Sequence, residues 1–180
     1  YVLMGLLFAV EFLVRKRVDR KMIKSYSFTK FTSDSRSDSH VLCYEGSWSE
    51  KNFKTWKDFL EDSAKVRRFV MDNASDDWIL HCEDYWYFLC SFAALLQCKK
   101  RIFLTQNISE SYIKEIRTQD SIFLTDQEVP ESVSIVDIIE KSSVPSDEFV
   151  RNTPSIDTSL TRILMFTSGS TGKPKAVLQR

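Results

Sequence analysis

The residues best equipped for chemistry are Thr167, Ser168, Gly169, Ser170, Thr171, Gly172 and Lys175. They lie in one run, Met165-Phe166-Thr167-Ser168-Gly169-Ser170-Thr171-Gly172-Lys173-Pro174-Lys175, which continues directly from an apolar stretch. Hydroxyls donate hydrogen bonds to phosphate oxygens, and successive amides in a turn form an anion-binding concavity. Gly169 and Gly172 leave room for the main chain to approach a ligand. Lys175, placed after the rigid Pro174, supplies positive charge. The chemistry these types and spacings suit is the holding of a polyphosphate by position and charge.

The run is not a nucleoside-triphosphatase loop, which requires G-x-x-x-x-G-K-[ST]. Thr167 stands where the first Gly belongs, and Pro174 follows Gly172-Lys173 in place of Ser or Thr. A flexible Ser/Gly surface turn shares the composition. It leaves the apolar lead-in and the Gly-x-Pro-Lys ending unexplained.

Such a loop needs elements to position it. Lys54–Met71 is predicted as a helix with Phe59, Ser63, Val66 and Val70 on one face beside Leu60 and Ala64. Trp78–His81 reads as a buried strand and Tyr85–Gln97 as a nearly all-apolar helix enclosed on most sides. Arg101–Thr105 is a second strand, and Asn107 with Glu110 is expected to cap a helix running to Arg117. Ser121–Thr125, Val133–Val136 and Arg162–Thr167 supply further strands. This alternation predicts an α/β fold with a largely parallel sheet. Ligands in such sheets bind beyond the carboxyl ends of strands, where the 167–175 loop falls.

Hydrophobic residues make up 43% of the 180, enough to bury a core. Lys plus Arg equals Asp plus Glu at 25 each, which argues against nucleic acid as a partner. The 4 cysteines, Cys43, Cys82, Cys90 and Cys98, contain no CxxC pair and read as reduced thiols. No internal repeat is visible.

The chain opens on an apolar run, residues 1–14, interrupted only by Gly5 and Glu11, and then a basic cluster from Arg15 to Lys24. Residues 1–24 are expected to be the end of a membrane helix with a basic cytoplasmic flank. Glu11 suits the competing reading, an amphipathic or buried terminal helix. Residues 25–40, rich in Ser, read as a polar linker. The globular part then covers 41–180.

Other constellations carry less. His81-Cys82-Glu83-Asp84 lines up potential metal ligands, but neighbours on a strand point to opposite faces, so a strand end entering a turn is the expectation. The aromatic stretch Trp78, Tyr85, Trp86, Tyr87, Phe88 and Phe92 lacks interleaved cations and reads as core, not as a base-stacking platform. Lys99-Lys100-Arg101 reads as a solvated turn, with contact to CoA phosphates as the functional alternative.

Thr167 to Lys175 resembles the phosphate loop of the adenylate-forming superfamily, which includes acyl-CoA synthetases, peptide-synthetase adenylation domains and luciferases. Ala176 stands where many members have Gly. Upstream, Lys54-Thr55-Trp56-Lys57-Asp58-Phe59 and the pair Phe92-Ala93-Ala94-Leu95-Leu96 and Arg101-Ile102-Phe103-Leu104 resemble family segments in the expected order. Between the last two, Cys98-Lys99-Lys100 replaces a usual Gly-rich turn. The resemblance spans roughly 41–180.

It implies a partial N-terminal adenylation domain of an AMP-forming acid–thiol ligase. A carboxylic acid would attack Mg2+-bound ATP, releasing pyrophosphate, and the acyl group would pass to CoA or to the phosphopantetheine of an acyl carrier protein. Thr167, Ser168, Gly169, Ser170, Thr171 and Gly172 would hold the departing phosphates, Lys175 would offset their charge, and Lys173 would face solvent. Catalytic residues are expected beyond Arg180, so the 180-residue chain by itself is expected to be inactive. With the membrane segment, the resemblance points to lipid or fatty-acid metabolism at the cytoplasmic face of a membrane, and without it to the cytoplasm. The alternative from another class is a non-catalytic nucleotide-binding or scaffold protein that retains the loop.

Overall fold

The computed structural model describes residues 36–44, 53–157, 159–160, 162–168 and 174–179. The expected membrane-helix end and basic flank, and the linker up to residue 35, lie outside the described residues. Among those described, no helix is long and apolar enough to cross a membrane.

The elements run β1 (Val41–Tyr44), β2 (Phe53–Thr55), α1 (Trp56–Met71), β3 (Asp77–His81), α2 (Tyr85–Gln97) and β4 (Arg101–Leu104). There follow α3 (Glu110–Ile116), β5 (Ile122–Thr125), β6 (Val133–Ser134), α4 (Ile135–Lys141), α5 (Asp147–Arg151), β7 (Arg162–Ser168) and β8 (Pro174–Gln179). β1 and β2 form a small antiparallel sheet, and the others a six-stranded sheet in the order β6-β5-β3-β4-β7-β8. Every ladder of the larger sheet is parallel except β7 with β8. The expected α/β fold with a largely parallel sheet is what the chain adopts.

Strand alternation divides the core in two. Trp78 and Leu80 join Phe59, Val66 and Val70 of α1, Ala93 to Leu96 of α2, and Ile138 and Ile139 of α4 on one face. Ile79, Phe103 and Phe123 meet Ile113 and Ile116 of α3 on the other. Both faces are covered, which is why these strands read as continuous apolar runs.

Several local expectations are corrected. The first helix starts at Trp56 rather than Lys54, because Lys54 and Thr55 belong to β2 and Thr55 is the N-cap. The Thr55 hydroxyl accepts from the Asp58 amide while the Asp58 carboxylate accepts from the Thr55 amide, a reciprocal capping box. Val133–Val136 is not one strand. Pairing with β5 ends at Ser134, whose hydroxyl accepts from the Asp137 amide at 3.2 Å, and the isoleucines at 135, 138 and 139 fit the buried face of a helix. Asn107 and Glu110 form no capping pair. Asn107 Oδ1 accepts from the Ser109 amide instead, and α3 starts at Glu110 without a side-chain cap. β1, α5 and β8 carry too little periodicity to be expected from the sequence alone.

The α2 helix is enclosed along its carboxyl half, Ala93 to Gln97, but Tyr85 is exposed and Phe88, Leu89 and Phe92 are half-buried. The helix ends in a Schellman arrangement. Lys99 takes a left-handed conformation (φ 57°), its amide donates to Leu96 O, and the Lys100 amide donates to Leu95 O, both at 3.1 Å. The turn lacking glycine thus keeps a glycine-type backbone.

Candidate functional site

The carboxyl ends of the parallel strands form one edge of the molecule, and this edge gathers the candidate residues. β7 ends with Thr167 and Ser168, and Lys175 is the register partner of Thr167 on β8. Ser168 is paired with Pro174, so the end of β7 and the start of β8 are neighbours on this edge. Gly169, Ser170, Thr171 and Gly172 lie outside the described residues. The connection leaving β4 runs back across β3 to β5, whereas the one leaving β7 runs the other way to β8. The 167–175 loop lies off the carboxyl edge of the sheet, the side on which open α/β sheets take ligands.

Beside it, His81 closes β3 and its Nδ1 bonds Thr105 O at 3.0 Å, just past the end of β4. That contact places the Nδ1 proton toward the carbonyl. Nε2 is buried and has no partner among the described residues. Thr105 and Thr125 are buried at equivalent strand ends, and each hydroxyl accepts an amide two residues on, from Asn107 and Gln127 at 3.1 Å. Ile102-Phe103-Leu104-Thr105 and Ile122-Phe123-Leu124-Thr125 share a tetrapeptide, a signal too short to count as a repeat but repeated in structure.

Asp126 was not singled out by sequence reasoning. Its carboxylate accepts from the Glu83 amide at 2.9 and 3.1 Å and from the Asp84 amide at 2.8 Å, joining the end of β5 to the β3–α2 turn. Asp84 in turn caps α2 by accepting from the Trp86 amide at 2.6 Å. The His81-Cys82-Glu83-Asp84 run is accordingly a strand end turning into a helix cap. Among the described residues no group of three His, Cys, Asp or Glu converges on a metal position.

The remaining candidates sort by edge. Lys100 and Arg101 sit at the amino end of β4, opposite the loop, paired with Asp76 at 3.2 Å and with Asp77 at 2.5–2.6 Å. This turn therefore lies at the edge opposite the 167–175 loop. The aromatic stretch is core at Trp78 and Trp86, while Tyr85 points outward. All four cysteines are free thiols. Burial pushes the Cys82 and Cys90 thiols well above their ordinary range, with nearby acids, Asp126 beside Cys82 and Asp62 near Cys90, adding to it.

Comparison with known proteins places this geometry. No family model and no curated protein sequence matches the chain. Solved structures do. An A-PCP of McyG complexed with phenylalanyl-adenylate is 15% identical over 84% of this chain and 27% of its own, with a TM-score of 0.59. The o-succinylbenzoate CoA synthetase MenE of Bacillus subtilis is 15% identical over 84% of this chain and 32% of its own, TM-score 0.61. The N-terminal subdomain of Klebsiella oxytoca NpsA, with 3-hydroxybenzoyl-AMSN, is 21% identical over 78% of this chain and 36% of its own, TM-score 0.53. The chain thus has the fold of the N-terminal part of adenylate-forming enzymes. It spans about a third of the length of the structures it matches.

Proposed function

We propose that this chain is part of an AMP-forming ligase that activates a carboxylic acid as an acyl-adenylate, and that the 167–175 loop grips the phosphates of ATP. The observation that carries this reading is the loop's position. An adenylating-type run, Thr-Ser-Gly-Ser-Thr-Gly-Lys-Pro-Lys, joins β7 to β8 off the carboxyl edge of a sheet whose fold is that of adenylate-forming enzymes, and this supports the reading.

Hydroxyls of Thr167, Ser168, Ser170 and Thr171, with the amides of Gly169 and Gly172, would hold the β- and γ-phosphates. Lys175 would offset their charge. Nucleotidyl transfer depends on position and charge stabilisation rather than on covalent help, which suits these residue types. Mg2+ would be carried on phosphate oxygens and water, as its small size and reluctance to dehydrate favour. In this reading the acyl group passes on to CoA or to a carrier-protein pantetheine, and residues 1–24 hold the protein at the cytoplasmic face of a membrane.

Calorimetric titration of the chain with Mg-ATP and with pyrophosphate tests the grip. Binding is expected to weaken about tenfold or more in Lys175→Ala and in Ser170→Ala, a loss of about 1.4 kcal/mol. Binding that ignores both substitutions, or no binding by the unaltered chain, would sink the proposal. The chain alone is expected to give no ATP–pyrophosphate exchange.

A further inference from the structure

We propose that residues 36–40 are a docked clip, part of the folded body, which caps the amino end of α1 and fixes the upstream chain at the carboxyl edge of the sheet. The first amides of any helix lack partners within it. Here the Trp56 amide donates to His40 O at 2.8 Å and the Lys57 amide to Asp38 O at 3.1 Å. The Thr55 hydroxyl takes the next one, from Asp58. The clip is folded on itself by the His40 amide donating to Ser37 O at 2.9 Å.

Side chains fasten the same five residues from two sides. The Arg36 guanidinium lies 4.6 Å from the centre of the Trp56 ring. Asp38 receives Arg151 of α5 at 2.9 and 3.4 Å, and Arg151 is itself steadied by Asp147 at 3.2 Å. The clip therefore ties α1 to α5, elements 91 residues apart between Trp56 and Asp147.

Its place in the fold gives it a consequence. The α1 helix runs antiparallel to β3, so its amino end is at the carboxyl edge, where Phe59 meets Trp86 at the start of α2 (6.4 Å between rings). Whatever the segment upstream of residue 36 is fixed to is held on the edge that carries the 167–175 loop. A free linker at this point would impose no such orientation.

Residue-resolved hydrogen exchange on the full chain, without nucleotide, tests this. In Asp38→Arg and in Arg151→Asp the Lys57 amide is expected to exchange about fivefold faster, and the combined charge swap to return it to within about twofold of the unaltered chain. The Val66 amide, deep in α1, is expected to stay unchanged. The clip is overturned if the Trp56 and Lys57 amides are unprotected in the unaltered chain, or if neither single variant alters them. It is overturned equally if Val66 accelerates with them, since that marks general loosening rather than release of a separable part.

Discussion

Ser168 stands opposite Pro174 across the antiparallel ladder of β7 and β8, the last pair of that register. Ser168 and Pro174, the residues on either side of the 169–173 span, are thereby neighbours on the sheet edge. Pro174 suits the first position of a strand, where its missing N–H costs no ladder bond.

On the proposed reading, pyrophosphate binding should be sensitive to bulk at the loop glycines and indifferent to Lys173. Gly172→Val is expected to lower pyrophosphate affinity about tenfold or more, because a branched side chain blocks the close approach of main chain to anion. Lys173→Ala is expected to change it less than about twofold. Equal losses from the two, measured by calorimetry, would contradict the assignment of Lys173 to solvent.

Lys99 pays for its left-handed backbone, and removing its Cβ should stabilise the protein. Lys99→Gly is expected to raise unfolding stability by about 1 kcal/mol. The urea midpoint measures it. An unchanged or lowered midpoint would mean that the Lys99 side chain supplies compensating contacts.

Asp77 lies at the amino edge, away from the loop, and should matter to stability alone. Burial by itself would raise its carboxyl, but the Arg101 fork and the Thr118 hydroxyl outweigh that and hold it below the usual carboxylate range. A depressed folded value contributes stability above the unfolded value, near pH 4, and loses it as pH falls through the folded one. Asp77→Asn is expected to cost about 1–2 kcal/mol at pH 7, discounted because half of the pair is exposed, and to flatten the decline below about pH 4. Chemical unfolding at pH 7 and pH 3 separates the two effects.

The buried thiols should be inert in the folded chain. Cys82 and Cys90 are enclosed and held protonated, so an aromatic disulfide reagent at pH 8 is expected to modify them only on unfolding. Cys98, half-buried and also raised by burial, is expected to react slowly. Fast native labelling of Cys90 would require an opening of the α1–α2 packing.

Much of this fold was legible from periodicity, because the strands from Trp78, Arg101 and Ile122 are covered on both faces and the helices between them are apolar on their inner sides. What periodicity could not separate was the junction at Ser134, where one hydroxyl turns an apolar run from strand into helix. Lys99 was opaque for the opposite reason: its residue type argues against the backbone that tertiary packing imposes. In the site, the loop residues announced themselves by composition, and β8 became readable only once β7 was there to pair with it. Asp126 gave no warning, since a lone acid after a strand is ordinary, and its role depends on amides 42 and 43 residues away.

The Asp126 clasp bears on where along the edge an anion can lie. The amino end of a helix normally attracts a negative group. At α2 the chain has already met that demand with its own carboxylates, Asp84 on the Trp86 amide and Asp126 on the amides of Glu83 and Asp84. Among the described residues, the amides at the start of α2 are therefore already taken by the chain's own carboxylates and closed to an outside anion.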